Sequence, residues 1–292
     1  MELIKKQKQK GYFIMAISNF IPTIWSENLY TQLDKQYIAV ANCNREFEGD
    51  IKDKGSVVKI CGVGKISISS YTKNTDMSAA QQLSDTVREL NIDQARYFNF
   101  QIDDIDRAQA SPKLMSAAMK NAASALANDA DNYVFSLYHK SSKSVIVNDP
   151  SPDNIIGYVI DAITNLRIQN VTDPNDIVIE VSPEVAALII KAKINLATDG
   201  GETLDTGCIG KIAGCKIFVS NNITHIDNED SVKHCCFVRS KRAIAFAEQI
   251  SEIEAYRPEK RFSDAVKGLH LYGADVVYPN EFLLLSVNFN RE

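Results

Sequence analysis

The sequence predicts an α+β protein, and three observations predict it. The first is one long helix over residues 111–140, where Met115, Met119, Ala122, Leu126, Ala130, Tyr133 and Leu137 recur at the spacing of one helix face. The second is strand-like sequence on both sides of that helix. Phe98, Phe100 and Ile102 alternate with Asn99, Gln101 and Asp103 before it, and residues 282–287 form an apolar run after it. The third is a helix–strand–helix–strand succession within residues 151–254, which reads as an α/β module of its own.

The helix is well specified at its start, with Ser111 as N-cap and Pro112 as first helical residue. No Gly or Pro interrupts it before Pro150, and at 1.5 Å per residue it would be on the order of 40 Å long. Ala117, Ala118, Ala122, Ala123, Ala125, Ala127 and Ala130 raise its helix propensity and let other backbone approach closely.

In chain order, residues 1–14 are Lys- and Gln-rich with no strand or helix period. Lys10-Gly11 is necessarily encoded by a purine-rich run a few codons before Met15, so the expectation is that Met15 is the start and residues 1–14 an upstream extension. The apolar segment after the lysines is too short for a secretory signal. Residues 21–25 are extended, and Ser26 caps a short helix toward Tyr37; Trp25, the chain's single Trp, is an anchor for this arm. Residues 57–60 and 66–68 read as short strands separated by Gly62 and Gly64, and residues 71–82 as an exposed polar loop. Residues 57–92 together make a hairpin-like excursion with little core of its own, which needs something to lie on. After the long helix, Asp153 caps a second helix with Ile156, Val159, Ile160 and Ile163 on its apolar face. Residues 177–181 are a buried strand, Ser182-Pro183-Glu184 opens a third helix, and residues 215–219 are a further strand. Residues 276–278 and 282–287 return to the sheet beside the long helix.

Composition narrows the function classes. With 45% hydrophobic residues over 292 positions the chain is no disordered protein, and no apolar run approaches the roughly 20 residues that span a bilayer. A net charge of −5 argues against a nucleic-acid binder, and six cysteines without framework spacing fit reduced thiols.

The search for chemistry finds no recognisable catalytic, cofactor or metal site. Gly62-Val63-Gly64-Lys65 lacks the third glycine of a dinucleotide turn, and Gly207-Cys208-Ile209-Gly210-Lys211 lacks the spacing of a phosphate loop. Asp103, Asp104 and Asp106 stand beside Arg107, which favours salt bridging over a cation site. His234-Cys235-Cys236 is at most half of a zinc site, and His139, His225 and His270 are isolated.

From Met15 onward the chain resembles the major capsid proteins of tailed bacteriophages with the Hong Kong 97-type fold. The resemblance rests on residues 20–26 (FIPTIWS), 71–76 (YTKNTD), 93–100 (DQARYFNF) and 103–110 (DDIDRAQA) before the long helix. It continues through residues 209–214 (IGKIAG) leading to Ser220-Asn221, and residues 267–273 (KGLHLYG). The resemblance implies an N-terminal arm at residues 15–54 and an extended loop at 55–94. A peripheral domain with a long spine helix would follow at 95–150 and 255–292, and an axial α/β domain at 151–254. It implies self-assembly through pentamers and hexamers into an icosahedral shell in the virion, after synthesis in the host cytoplasm. A portal would admit double-stranded DNA that is not bound specifically, with a separate scaffolding protein, no membrane and no enzyme activity. A bacterial encapsulin-like compartment shares the fold. The reading from a different class is a small-molecule-binding or hydrolytic α/β protein built on residues 151–254.

Trp25, Tyr71, Lys73, Asn74 and Asp76 are the candidate subunit contacts. Deleting residues 71–80 is expected to leave subunit melting unchanged and to block closed particles, which calorimetry and electron microscopy of the same preparation would check. Normal shells from the deletion variant would count against a contact role for this stretch.

Overall fold

The computed structural model describes residues 29, 32–33, 36–47, 57–63, 68, 70, 73, 76, 85–103, 113–192, 208–260 and 262–290. In chain order the strands and helices are β1 (Val57–Val63), β2 (Asp85–Asn91), β3 (Gln94–Asp103), α1 (Lys113–Ser136), β4 (Lys143–Asn148), α2 (Ile155–Ile168), β5 (Ile177–Val181) and α3 (Pro183–Lys191). They continue with β6 (Cys208–Ile212), β7 (Cys215–Val219), β8 (His225–Asp227), β9 (Ser231–Ser240), β10 (Ile244–Tyr256), β11 (Ser263–Val276) and β12 (Phe282–Asn290).

The long helix forms, passing at Leu137–Lys140 into a tighter 3-10 turn. Its buried stripe runs through Met119, Ala123, Leu126, Ala127, Ala130, Val134 and Phe135, while Ala122 and Tyr133, expected on that face, are half-buried. Tyr133 sits at the margin because its hydroxyl donates to Asp93 Oδ1 at 3.0 Å, keeping the polar tip near water. The expected cap at Ser111 and Pro112 lies outside the described residues.

Two sheets pack around this helix. One is three-stranded and antiparallel in the order β10-β11-β3; the other is seven-stranded in the order β4-β12-β9-β5-β7-β6, with β8 on β9. In β3, Phe98 and Phe100 turn toward the core and Asn99 and Gln101 toward solvent, as the alternation predicts. β5 is buried at every position, as befits a strand flanked on both sides. β12 lies in the seven-stranded sheet between β4, to which it is parallel, and β9. Its residues Phe282–Val287 are buried throughout, so they require an interior strand position rather than an edge. Val277 and Tyr278 are not strand; both N–H groups donate to the Ala243 carbonyl where the chain passes between the sheets.

In the helix after Pro152, Asn154 takes the N-cap position in place of Asp153, its side-chain oxygen accepting from the Ser151 N–H at 2.9 Å. Ile160, expected on the apolar face, is 44% exposed, and the buried stripe uses Ile155, Ala162 and Leu166 as well as Ile156, Val159 and Ile163. α3 starts as expected: Ser182 Oγ accepts from the Val185 N–H at 3.4 Å and Pro183 is the first helical residue.

β1 and β2 form an antiparallel ribbon in register from Val57↔Asn91 to Val63↔Asp85, and Gly62 lies inside β1 rather than at its end. Ile68, expected in a strand, is not in one, and residues 66–67 lie outside the described residues. The ribbon does lie on something: Val58, Ile60, Leu90 and Ile92 pack against Ala245, Ala247, Leu271 and Val277 of the same chain, a second small core. Gly273 of β11 allows this approach, because a Cβ there would stand 2.1 Å from the Asn91 carbonyl oxygen. Gly273→Ala is therefore expected to cost about 1–3 kcal/mol by overpacking against fixed backbone. Gly268→Ala, which meets side chains rather than backbone, the far edge of the Phe98 ring at 2.5 Å and Ile253 Cγ1 at 3.4 Å, should cost less. Urea denaturation of unassembled subunits checks both, and an unaltered Gly273→Ala midpoint would contradict the packing.

Candidate functional site: a charged clasp on the arm

Charged side chains are rare inside strands buried on both faces and persist there when paired. β5 reads Ile-Val-Ile-Glu-Val, β9 ends Phe-Val-Arg-Ser and β10 opens Ile-Ala-Phe-Ala-Glu. Glu180, Arg239 and Glu248 from these strands, with Asp131 from α1, converge on residues 37–45 of the arm.

Arg239 and Glu180 are diagonal neighbours on adjacent strands, since Arg239 stands opposite Val178 and Glu180 opposite Phe237. Arg239 Nε donates to Glu180 Oε2 at 3.0 Å and Nη2 to Oε1 at 2.8 Å, a two-pronged pair with both side chains fully buried. The rest of the guanidinium faces the arm, donating to the carbonyls of Asn42 at 2.8 Å and Ala39 at 3.0 Å. Asn42 Nδ2 closes the ring by donating to Glu180 Oε1 at 3.4 Å. Burial pushes the Glu180 carboxyl up and Arg239 opposes that shift.

Asp131 holds the same turn from the helix side. Its carboxyl accepts from the N–H groups of Ile38 at 3.0 Å, Ala39 at 3.1 Å and Val40 at 3.0 Å, at the start of the 3-10 turn Val40–Asn42. Burial pushes it up to about 7, while these N–H groups pull it down. One helix residue and one strand residue thus satisfy the N–H and C=O groups of a segment without regular pairing of its own.

The third contact reaches the other sheet. Glu248 accepts from Tyr37 Oη and from Arg45 Nη2, the latter at 2.7 Å, and lies 2.8 Å from His270 Nε2. Asn44 joins β10 by a parallel bridge, donating to the Ile244 carbonyl and accepting from the Phe246 N–H, both at 2.9 Å. Leu29, Leu33, Tyr37, Ala39 and Val40 are buried in the main core.

The residues singled out for chemistry fall elsewhere. His234, Cys235 and Cys236 are consecutive on β9, so the two thiols face opposite sides of the sheet, and no three metal-ligating side chains converge among the described residues. Gly207-Cys208-Ile209-Gly210-Lys211 runs into β6 and Gly62-Val63 belongs to β1. Asp103 ends β3, and Asp104, Asp106 and Arg107 lie outside the described residues. Ser182, His234 and Glu184 have the composition of a hydrolase set without its geometry. Ser182 Oγ at 2.9 Å and Glu184 Oε2 at 3.5 Å both face His234 Nδ1, whereas a relay needs them on opposite ring nitrogens. Of the candidate subunit contacts, Lys73 and Asp76 are exposed, and Trp25, Tyr71 and Asn74 lie outside the described residues.

Removing one member of the buried pair leaves the other charge without a partner. Arg239→Ala is expected to cost about 3–5 kcal/mol, and Arg239→Met with Glu180→Met to recover the part due to the unpaired charge, while the Ala39 and Asn42 carbonyls lose this donor in both variants. Chemical denaturation of unassembled subunits checks the pair; equal losses in the single and double variants would refute it. Burial, with His225 beside it, lowers the His234 pKa. The unfolded chain therefore takes up this proton first as pH falls below about 6.5, and His234 loses stability for the fold there. Wild type should lose more melting temperature than His234→Gln between pH 7.5 and 5.5; parallel losses would exclude this residue as the cause.

No family model and no curated protein matches the chain. Solved structures do. One from Mycobacterium phage Che8 is 29% identical, with a TM-score of 0.65 over 86% of this chain and 91% of that one. The capsid structure of cyanophage P-SCSP1u has a TM-score of 0.64 at 15% identity, over 84% of this chain and 86% of its own. A virus-like particle from Pyrococcus furiosus follows with a TM-score of 0.53 at 11% identity, over 89% and 96%. With two sheets on one long helix and likeness over most of both chains, the chain has the fold of the Hong Kong 97-type capsid proteins of tailed bacteriophages.

Proposed function

We propose that the chain is a major capsid protein that assembles through pentamers and hexamers into an icosahedral shell around phage DNA. The observation that carries this reading is the likeness to phage structures along nearly the whole chain, capsids among them. Its role is that of a structural component with no enzyme activity, made in the host cytoplasm before it enters the shell. An acidic balance of −5 suits a container that releases its nucleic acid, since tight phosphate binding needs clustered cations. A separate scaffolding protein and a portal are its expected partners. The lower likeness to the archaeal virus-like particle does not favour a cargo compartment over a phage shell.

In this role residues 15–54 act as the arm, 55–94 as the extended loop, 95–150 with 255–292 as the peripheral domain and 151–254 as the axial domain. Trp25, Tyr71, Lys73, Asn74 and Asp76 are the residues we assign to contacts between neighbouring subunits. Purified protein is expected to run as capsomers or megadalton particles on a sizing column and to appear as closed shells in electron micrographs. A stable monomer that stays monomeric with its scaffolding protein would overturn the reading.

A further inference from the structure

We propose that strand β8 is an acid-released flap, held on β9 by the edge-to-face rings of His225 and His234 and let go when His234 takes up a proton. β8 has three residues and, among the described strands, pairs with β9 alone, so little backbone pairing holds it. The Cys235 N–H donates to the Thr224 carbonyl at 3.0 Å, which makes residues 224 and 235 a hydrogen-bonded pair. One step on, His225 and His234 then face each other in the closer, non-hydrogen-bonded position. Their ring centroids are 4.3 Å apart, and the Phe289 ring of β12 stands 4.8 Å from His234. His225 is exposed, whereas His234 is buried.

Among the described residues few charges face this pair. From α3, Glu184 Oε2 stands 3.5 Å from His234 Nδ1, which also lies 2.9 Å from Ser182 Oγ. β12 brings Val287 and Phe289, neither of which titrates. On β9 the strand alternation turns Cys236 to the same face, its thiol pushed up to about 12 by burial, and Lys233 and Cys235 to the other. On β8, Asp227 is exposed on the face that carries His225. The Glu184 side chain is itself 56% exposed, so water weakens the one carboxylate that could offset two imidazolium rings in contact. Burial and the neighbouring His225 hold His234 below the ordinary imidazole range, with Glu184 opposing them. His234 therefore takes up its proton where β8 lifts and water reaches the ring, so acid favours the lifted state. Ile223, buried in the core, pins the near end of the flap, and the partly buried Ile226 draws it back at neutral pH. If the chain builds a shell, as proposed above, acid alters one face of each subunit without unfolding it.

The test uses unassembled full-length subunits, so its outcome is separate from whether particles form. Lifting β8 frees the Cys235 N–H from the Thr224 carbonyl. Amide exchange there, corrected for the intrinsic effect of pH, is expected to report an opening constant about tenfold larger at pH 5.5 than at pH 7.5, the effect of one proton taken up by an imidazole of ordinary pKa about 6.5. Exchange at Val277, whose N–H is bonded to the Ala243 carbonyl between the sheets, should stay within about twofold. Parallel acceleration at Val277 would assign the effect to global unfolding and overturn the flap. His234→Gln should bring the Cys235 response to within about twofold. Should that variant fold poorly, His225→Gln, at an exposed position, is expected to lower the response well below tenfold. A flat Cys235 response in wild type, or a full response in either variant, would overturn the proposal.

Discussion

Arg239 has five N–H donors and no water to give them to. The sheet that carries it offers one acceptor side chain, Glu180; the remaining acceptors are the Ala39 and Asn42 carbonyls of the arm. Without the arm, the centre of the seven-stranded sheet would hold a half-satisfied cation, which is worse for the fold than an apolar pair. The arm is therefore a structural part of the sheet rather than an appendage. The same logic governs Asp131, whose burial is tolerable because three arm N–H groups face it.

This arrangement exchanges stability for uniqueness. A greasy arm could settle on the core in several registers, whereas two carbonyls and three N–H groups matched to fixed donors and acceptors admit one. Hydrophobic burial of Leu29, Leu33 and Val40 supplies the driving force, and the charges supply the address.

Local order was legible wherever one period dominated. The long helix, α3 with its Ser182 cap, and strands β3, β5 and β7 follow from spacing and turn residues alone. What stayed hidden was long-range. β10 and β11 mix apolar residues with Glu248, Glu252, Glu254, Lys267 and His270, which blurs their alternation, and only pairing with each other and β3 makes them strands. The placement of β12 beside β4 and β9 is likewise invisible to any local pattern. The clasp left a readable trace: one Glu in the fully apolar β5, one Arg at the end of β9 and one Glu after the apolar start of β10. A single charge in such a run signals a buried pair, though not its partner. For Trp25, Tyr71 and Asn74, the sequence remains the ground for assigning them to contacts.

The pairing of Ala39 with Arg239 spans 200 residues, and β12 closes its sheet with the last described stretch of the chain. A ribosome releases these pieces in the wrong order for local closure. The arm emerges first and has nothing to hold until β5, β9 and β10 exist, and β4 waits for β12 to lie beside it. Most of the tertiary structure must form after synthesis is nearly finished, a high-contact-order route that is slow and leaves strand edges open meanwhile. That delay is a window for wrong pairing between newborn chains, and it makes holding factors during synthesis a matter of topology.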